Sequence, residues 1–393
     1  MSNYMTMCYA LFLIMFLSSL KASNADYNVV SFGARSDGRT ESSAAFLKAW
    51  ASACNSRTAS TVYVPKGNYL VKPIRFNGPC KSKILFRIDG KIIAPTNYWS
   101  FGTSGFWILF YKVSRVTIYG GIVDARASSF WACKIAGKSC PPGARSITFL
   151  GSSNVIIKRL TTINSQLFHI AVGQSWNIMF QNLKIIAPSW SPNTDGIHIQ
   201  SSFGITVRDS TIMTGDDCIS LGQGSKNIWL QQIACGPGHG ISIGSLGLYK
   251  QEEGVQNVTV TGVVFTGTTN GVRIKSWARP TTSFANNILF RNIVMKNVYN
   301  PILIDQRYCP SGQGCPNQSS SSKISGVTYQ DIRGTSASKV AINFICSKNT
   351  PCKGLKLKNI KLTYLNRGMA SSSCTNAHGG SSGLVIPGSC LRP

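Results

Sequence analysis

The sequence predicts an all-β fold, a single-stranded right-handed parallel β-helix, on three observations. A strand-forming phrase recurs along the chain, three shorter rows recur at a fixed step of 22 residues, and hairpin-turn signals are sparse. The phrase opens on a small residue: "NVIIKRL" at Asn154, "NIMFQNL" at Asn177, "GITVRDS" at Gly204, "NIWLQQI" at Asn227, "NVTVTGV" at Asn257, "NILFRNI" at Asn287, "GVTYQDI" at Gly326 and "GLKLKNI" at Gly354. Its intervals are 23, 27, 23, 30, 30, 39 and 28 residues. Periods of roughly 20 to 50 residues mark a repeat architecture, and alternating Val, Ile, Leu and Phe between Gly, Asn and Ser turns makes the unit a strand. Each coil then lays strands on the previous coil and points alternate side chains into one continuous apolar interior.

Taken in chain order, residues 9–20 ("YALFLIMFLSSL") form an apolar run too short to span a bilayer. The small residues of "KASNA" follow it, so residues 1–25 are expected to be a signal peptide cleaved between Ala22 and Ala25, although no Lys or Arg precedes the run. No later segment reaches the roughly 20 apolar residues of a membrane span, so the mature chain is expected to be exported, with no membrane contact. Residues 26–393 then form a single β-helix domain. "SSAAFLKAWASAC", Ser42 to Cys54, predicts one helix with Thr40 or Ser42 as N-cap, closing the N-terminal end of the solenoid. The Ser/Gly-rich stretch Met369 to Cys390 reads as a disulfide-bearing tail over the other end.

Cysteine use agrees with export. Of 13 Cys, Cys8 lies in the leader and the remaining even set suits an oxidising compartment. Close spacing suggests the pairs Cys133–Cys140, Cys218–Cys235, Cys309–Cys315, Cys346–Cys352 and Cys374–Cys390, and leaves Cys54 and Cys80. A zinc site lacks paired CxxC motifs and has only four His to draw on, and no cofactor is expected. Sequons at Asn257 and Asn317 are compatible with secretion.

With 40 Lys and Arg against 13 Asp and Glu, the formal net charge is +27, which favours a polyanionic partner. Nucleic acid is disfavoured, because the basic residues are spread singly and no RNP-like or zinc-finger pattern occurs. An acidic polysaccharide outside the cell fits both the charge and the leader. A monomer is expected.

In so basic a chain, the adjacent carboxylates of Asp216 and Asp217 in "MTGDDCISLG" need a reason. Three pieces share one template: Asp195-Gly-Ile-His-Ile, Asp217-Cys-Ile-Ser-Leu and His239-Gly-Ile-Ser-Ile. If their aliphatic residues point inward, Asp195, Asp217 and His239 occupy the mouths of strands on consecutive coils about 4.8 Å apart, with Asp216 alongside. The next row, "GVRIKSW", carries Arg273 and Lys275 two residues apart, hence on one outer face. Two neighbouring unpaired Asp repel, which raises one pKa and supplies a general acid, while the cations suit an anionic sugar.

At these residues the sequence resembles the polygalacturonases, pectin-hydrolysing enzymes of glycoside hydrolase family 28, and is closest to the plant members. The family motifs stand here as "SPNTDGIHI" (Ser191 to Ile199), "GDDC" (Gly215 to Cys218), "GHGISIGSLG" (Gly238 to Gly247) and "RIK" (Arg273 to Lys275). The resemblance implies that Asp216 protonates the leaving oxygen, that Asp195 and Asp217 hold and activate water, and that His239 tunes the acid. It implies further that Arg273 and Lys275 grip a galacturonate carboxylate, that Tyr308 contacts substrate and that Asn193 hydrogen-bonds in the site. Arg307 departs from the pattern, standing where a neutral residue is expected.

The resemblance also implies inversion at the anomeric carbon. Spacing alone does not, since one coil of about 5 Å falls near the retaining range and inverting carboxyls stand about 6.5 to 9.5 Å apart. Two rival readings are a calcium-dependent pectate lyase on the same fold, with Arg273 as base, and a pectin-binding wall protein without turnover. Internal or terminal cleavage depends on whether loops such as Ser129 to Gly143 or Gly247 to Gly254 block the groove.

Overall fold

The computed structural model describes residues 25–316, 318–365 and 368–393. The expected leader, with Cys8, and the sequon residue Asn317 lie outside the described residues. Among the described residues every ladder between strands is parallel, in one eleven-stranded sheet and one twenty-stranded sheet that together wind a right-handed β-helix. Among the described residues, no helix is long and apolar enough to cross a membrane.

The recurring phrase lies in the larger sheet. Its opening residues Asn154, Asn177, Asn227, Asn257 and Asn287 have φ between 51° and 57°, and Gly204, Gly326 and Gly354 have φ between 61° and 65°. This left-handed corner is the reason for the small residue, because Gly and Asn reach it at least cost. The asparagines also stack: Asn177 donates to Asn154 at 2.6 Å, Asn257 to Asn227 at 2.6 Å and Asn287 to Asn257 at 3.3 Å. The side-chain amide of the Asn257 sequon is thus already part of a ladder.

Inward residues of successive coils fill the interior with columns of like side chains. Phe110 stacks on Phe149 at 5.2 Å, and Phe149 meets Phe180 edge-on at 6.3 Å. At the N-terminal end the helix Ser43–Asn55 buries Ala45, Phe46, Ala49, Trp50 and Ala53, and Trp50 Nε1 donates to the carbonyl of Asn77. The helix therefore caps the solenoid as expected, but its own N-terminus is held differently. Ser42 occupies the N-cap without capping, since its Oγ bonds Arg35 N and Thr40 O, while Thr40 Oγ1 donates to Asp37. Glu41 Oε1 accepts from Ser43 N instead.

One further expectation changes. The stretch Ser129 to Gly143 is not simply a loop: Ser128–Ile135 is a helix, anchored by buried Phe130 and Trp131 and followed by the Cys133–Cys140 disulfide. The C-terminal stretch read as a disulfide-bearing tail carries the Cys374–Cys390 bridge and also extends the solenoid, because Ser371–Thr375 and Ala377–Ile386 pair with Val340–Ile345 and Cys352–Tyr364 as one more coil. All five expected disulfides form, and Cys54 and Cys80 pair with each other, joining the end of the capping helix to the wall.

Candidate active site

The three rows are neighbours in the eleven-stranded sheet. Ile197, Ile219, Ile241 and Val272 are in register, as are Ile199, Leu221, Ile243 and Ile274, and all are buried. Asp195, Asp217 and His239 therefore stand two residues before matched positions. Gly196 N donates to Asp217 O at 2.9 Å, Cys218 N to Gly240 O at 2.7 Å and His239 N to Asp216 O at 2.8 Å, so the ladder of acids is pinned by backbone. Two glycines make this close stacking possible. A Cβ on Gly215 would strike the backbone of Ser191, and one on Gly240, whose φ is +87°, would strike the carbonyls of Asn270 and Gly271.

Electrostatics divides the two buried aspartates, Asp195 and Asp217, sharply. Asp217 is only 1% exposed and accepts from Ser242 Oγ at 2.7 Å, Arg273 at 2.9 Å and Lys275 at 2.8 Å. Burial would push its carboxyl up, but the charges of Lys275 and Arg273 and the bonds from Lys275 and Ser242 hold it below the usual carboxylate range. Asp195 has no such cation in contact. Burial, then the charges of Asp216 and Asp217, raise its pKa well above the ordinary value, against a bond from Ser220 and the charge of Lys275.

Repulsion within the adjacent pair led us to expect a raised carboxyl there, but Asp217 is held low because two cations neutralise it, and the raised carboxyl is Asp195 on the preceding coil. For the same reason Arg273 and Lys275 are not free cations awaiting a substrate. They are partners of Asp217, Lys275 buried and Arg273 half-buried, and leave the trio with one net positive charge.

Asp216 sits at the surface of this cluster, its side chain 19% exposed. Its Oδ1 accepts from Asp217 N at 2.8 Å and lies 2.9 Å from His239 Nδ1, and its Oδ2 lies 3.5 Å from Asn193 Nδ2. The ring of Tyr308 lies 5.0 Å from Lys275 Nζ and 5.9 Å from the Arg273 guanidinium, with Trp277 edge-on behind it. All eight candidate residues are therefore brought to one patch. Arg307 is exposed, and its backbone N–H donates to Asp305.

Sequence reasoning missed the residues that aim the acids. These are His198, Ser220 and Ser242, which form one outward column in register with the expected Arg273. Ser220 donates to Asp195 Oδ2 and lies 2.8 Å from His198 Nδ1, and Ser242 donates to Asp217 Oδ1 while accepting from Arg273 Nε. The signal was present as the second strand residue of each row, but Ser is too common for spacing to single out. Burial lowers His198 to about 4, so this imidazole is neutral above that pH.

Side-chain atoms of Asp216, Asp217 and His239 also approach within 4.8 Å of one another, as a metal site would require. The donor set does not suit a cation: Asp217 is already neutralised by Lys275 and Arg273, and His239 Nδ1 is engaged with Asp216. What the patch can do is place a partly exposed carboxyl beside a buried one of raised pKa and a buried ionised one, over a floor of positive charge. That is the equipment for proton transfer to and from an anionic substrate.

A β-helix carrying carboxylates and cations on one outer face fits a carbohydrate-cleaving enzyme of the solenoid type. The chain belongs to the glycosyl hydrolases family 28, whose profile matches residues 54–385, and it is therefore a glycoside hydrolase. A second, shorter match over residues 27–77 is to the rhamnogalacturonase A/epimerase, pectate lyase-like family. The chain is 50% identical to a polygalacturonase of Prunus persica, over 97% of this chain and 98% of that one. It is 41% identical to an exopolygalacturonase of Platanus acerifolia, covering 94% and 98%. Among solved structures it is similar to a polygalacturonase of Erwinia carotovora, with a TM-score of 0.74, 25% identity and coverage of 93% and 100%.

Proposed function

We propose that the protein is a secreted polygalacturonase that hydrolyses α-1,4-galacturonosyl bonds of pectin in the cell wall by inverting acid/base catalysis. The observation that carries this reading is the division of labour among Asp195, Asp216 and Asp217. Asp216 is the general acid: its side chain is partly exposed, its Oδ2 has only the 3.5 Å contact with Asn193 among the described residues, and His239 and the Asp217 N–H hold its other oxygen. Asp195 is the better base for the attacking water, since its raised pKa brings proton affinity nearer the operating range and its only side-chain donor among the described residues is Ser220. Asp217 shares that water through Oδ2, which has one donor, Lys275, and so retains an acceptor position.

The net positive charge of the Asp217, Arg273 and Lys275 trio, roofed by Tyr308, supports recognition of a galacturonate carboxylate at that end. Support for the substrate also comes from the similar polygalacturonases and from the overall charge of +27. Export is supported by six disulfides and by the apolar run at residues 9–20.

De-esterified pectin incubated with the protein and a chelator should yield new reducing ends without unsaturated products, released as the inverted anomer by proton NMR. Chelator-sensitive unsaturated products would establish a lyase instead. Asp216→Asn should retain polygalacturonate binding and lose about two to four orders of magnitude in kcat. Full activity in that variant would remove Asp216 as the acid.

A further inference from the structure

On the same outer face as the acids, toward the N-terminal coils, lies a depression of about 470 Å³ that the catalytic reading leaves unused. Its floor is made by the strands Arg145–Leu150, Ile170–Gly173 and Ile197–Gln200, where Thr148, Ala171 and His198 form one column and Leu150, Gly173 and Gln200 the next. The hollow exists because the middle coil presents Ala171 and Gly173 where the following coil presents His198 and Gln200. Phe168 forms one wall, stacked on His198 at 4.6 Å.

At its rim stands Arg145, exposed, with its guanidinium 5.7 Å from the Phe168 ring centroid. Among the described residues Arg145 makes no ion pair and no side-chain hydrogen bond. That sets it apart from Arg273 and Lys275, which Asp217 already engages.

We propose that Arg145 is a specificity-determining residue: it binds the carboxylate of a second acidic sugar, whose ring lies in the hollow against Phe168. The geometry carries this in three steps. First, the hollow is continuous with the chemistry, since His198 forms its edge and reaches Asp195 through Ser220. Second, the neighbours of Arg145 leave its charge available: His198 is neutral, held down to about 4 chiefly by burial with Arg145 contributing, and no carboxylate lines the hollow. Third, distance fits a polymer. Arg145 lies two ladder steps before the Asp195 row, roughly 10 Å, and five before the Lys275 row, roughly 24 Å. An anionic chain laid along the solenoid axis would thus meet positive charge on both sides of the acids. A guanidinium suits a carboxylate because its planar fork can make two parallel bonds to it.

This inference rests on the galacturonan reading for its ligand, and the test separates the two. Equilibrium binding and kcat/KM are measured for the wild type, Arg145→Ala and Arg145→Lys on galacturonate oligomers of increasing length and on their methyl esters. Arg145→Ala should weaken binding of the longer free-acid oligomers about tenfold and lower kcat/KM chiefly through KM, with a smaller effect on the shortest oligomers. Arg145→Lys should recover part of the loss, and methyl esters should abolish the difference between wild type and Arg145→Ala. Equal affinities in wild type and Arg145→Ala, or a loss independent of length and esterification, would overturn the subsite. Wild-type binding without turnover would reject the hydrolase reading, yet the subsite would stand if the Arg145→Ala binding loss persisted.

Discussion

Replacing Lys275 by Met tests whether this cation acts first on substrate or on Asp217. Lys275 Nζ lies 2.8 Å from an Asp217 carboxylate that is 1% exposed, and its own side chain is 8% exposed. Breaking a buried pair by removing one partner costs about 3 to 5 kcal/mol, because the remaining charge stays buried without compensation. Arg273 and Ser242 continue to bond Asp217, so the low end, about 3 kcal/mol, is expected for Lys275→Met. Asp217→Asn should cost a similar amount by stranding two cations. In the double variant the penalties should fall short of their sum by about 2 kcal/mol, since the groups share one interaction.

The sign of the pH dependence follows from the depressed Asp217. Its contribution to stability is present above the unfolded value near 3.8 and is lost as pH falls through the lower folded value. The difference between wild type and Lys275→Met is therefore full at pH 6 and shrinks below pH 4. Denaturant unfolding at both pH values measures the cycle. An exposed lysine on the other sheet, Lys356→Ala, serves as control for the loss of one charge. Additive penalties, or a Lys275→Met penalty unchanged between pH 6 and pH 3, would refute the coupling and return Lys275 to a solvated or substrate-facing role.

Other outcomes follow from the same geometry. Ser220→Ala removes the one bond that lowers the Asp195 pKa, so the acid limb of kcat/KM should move to higher pH; a purely structural serine would lower Tm and leave the limb in place. Phe180→Ala, at a fully buried position against Phe149, should cost about 3 to 5 kcal/mol in unfolding measurements and leave the pH profile unchanged.

Much of the architecture was determined by the sequence itself. A strand alternates its faces with period two, so aliphatics repeated every 22 residues at Ile197, Ile219 and Ile241 force the residues before them, Asp195, Asp217 and His239, onto one ladder. The Asn or Gly opening each phrase likewise announced its left-handed corner, a constraint local to one residue. Five disulfides could be read because short spacing limits the choices, whereas Cys54 and Cys80 were left to be joined by the packing of the capping helix.

Only the tertiary structure decided how charge is distributed. Lys275 and Asp217 are 58 residues apart, with an insertion between their coils, and pKa depends on the few ångströms that separate them rather than on their order in the chain. The same holds for Ser220, Ser242 and the Ala171–Gly173 hollow: each is an unremarkable residue in its own strand, and its role exists only because neighbouring coils set a different side chain beside it.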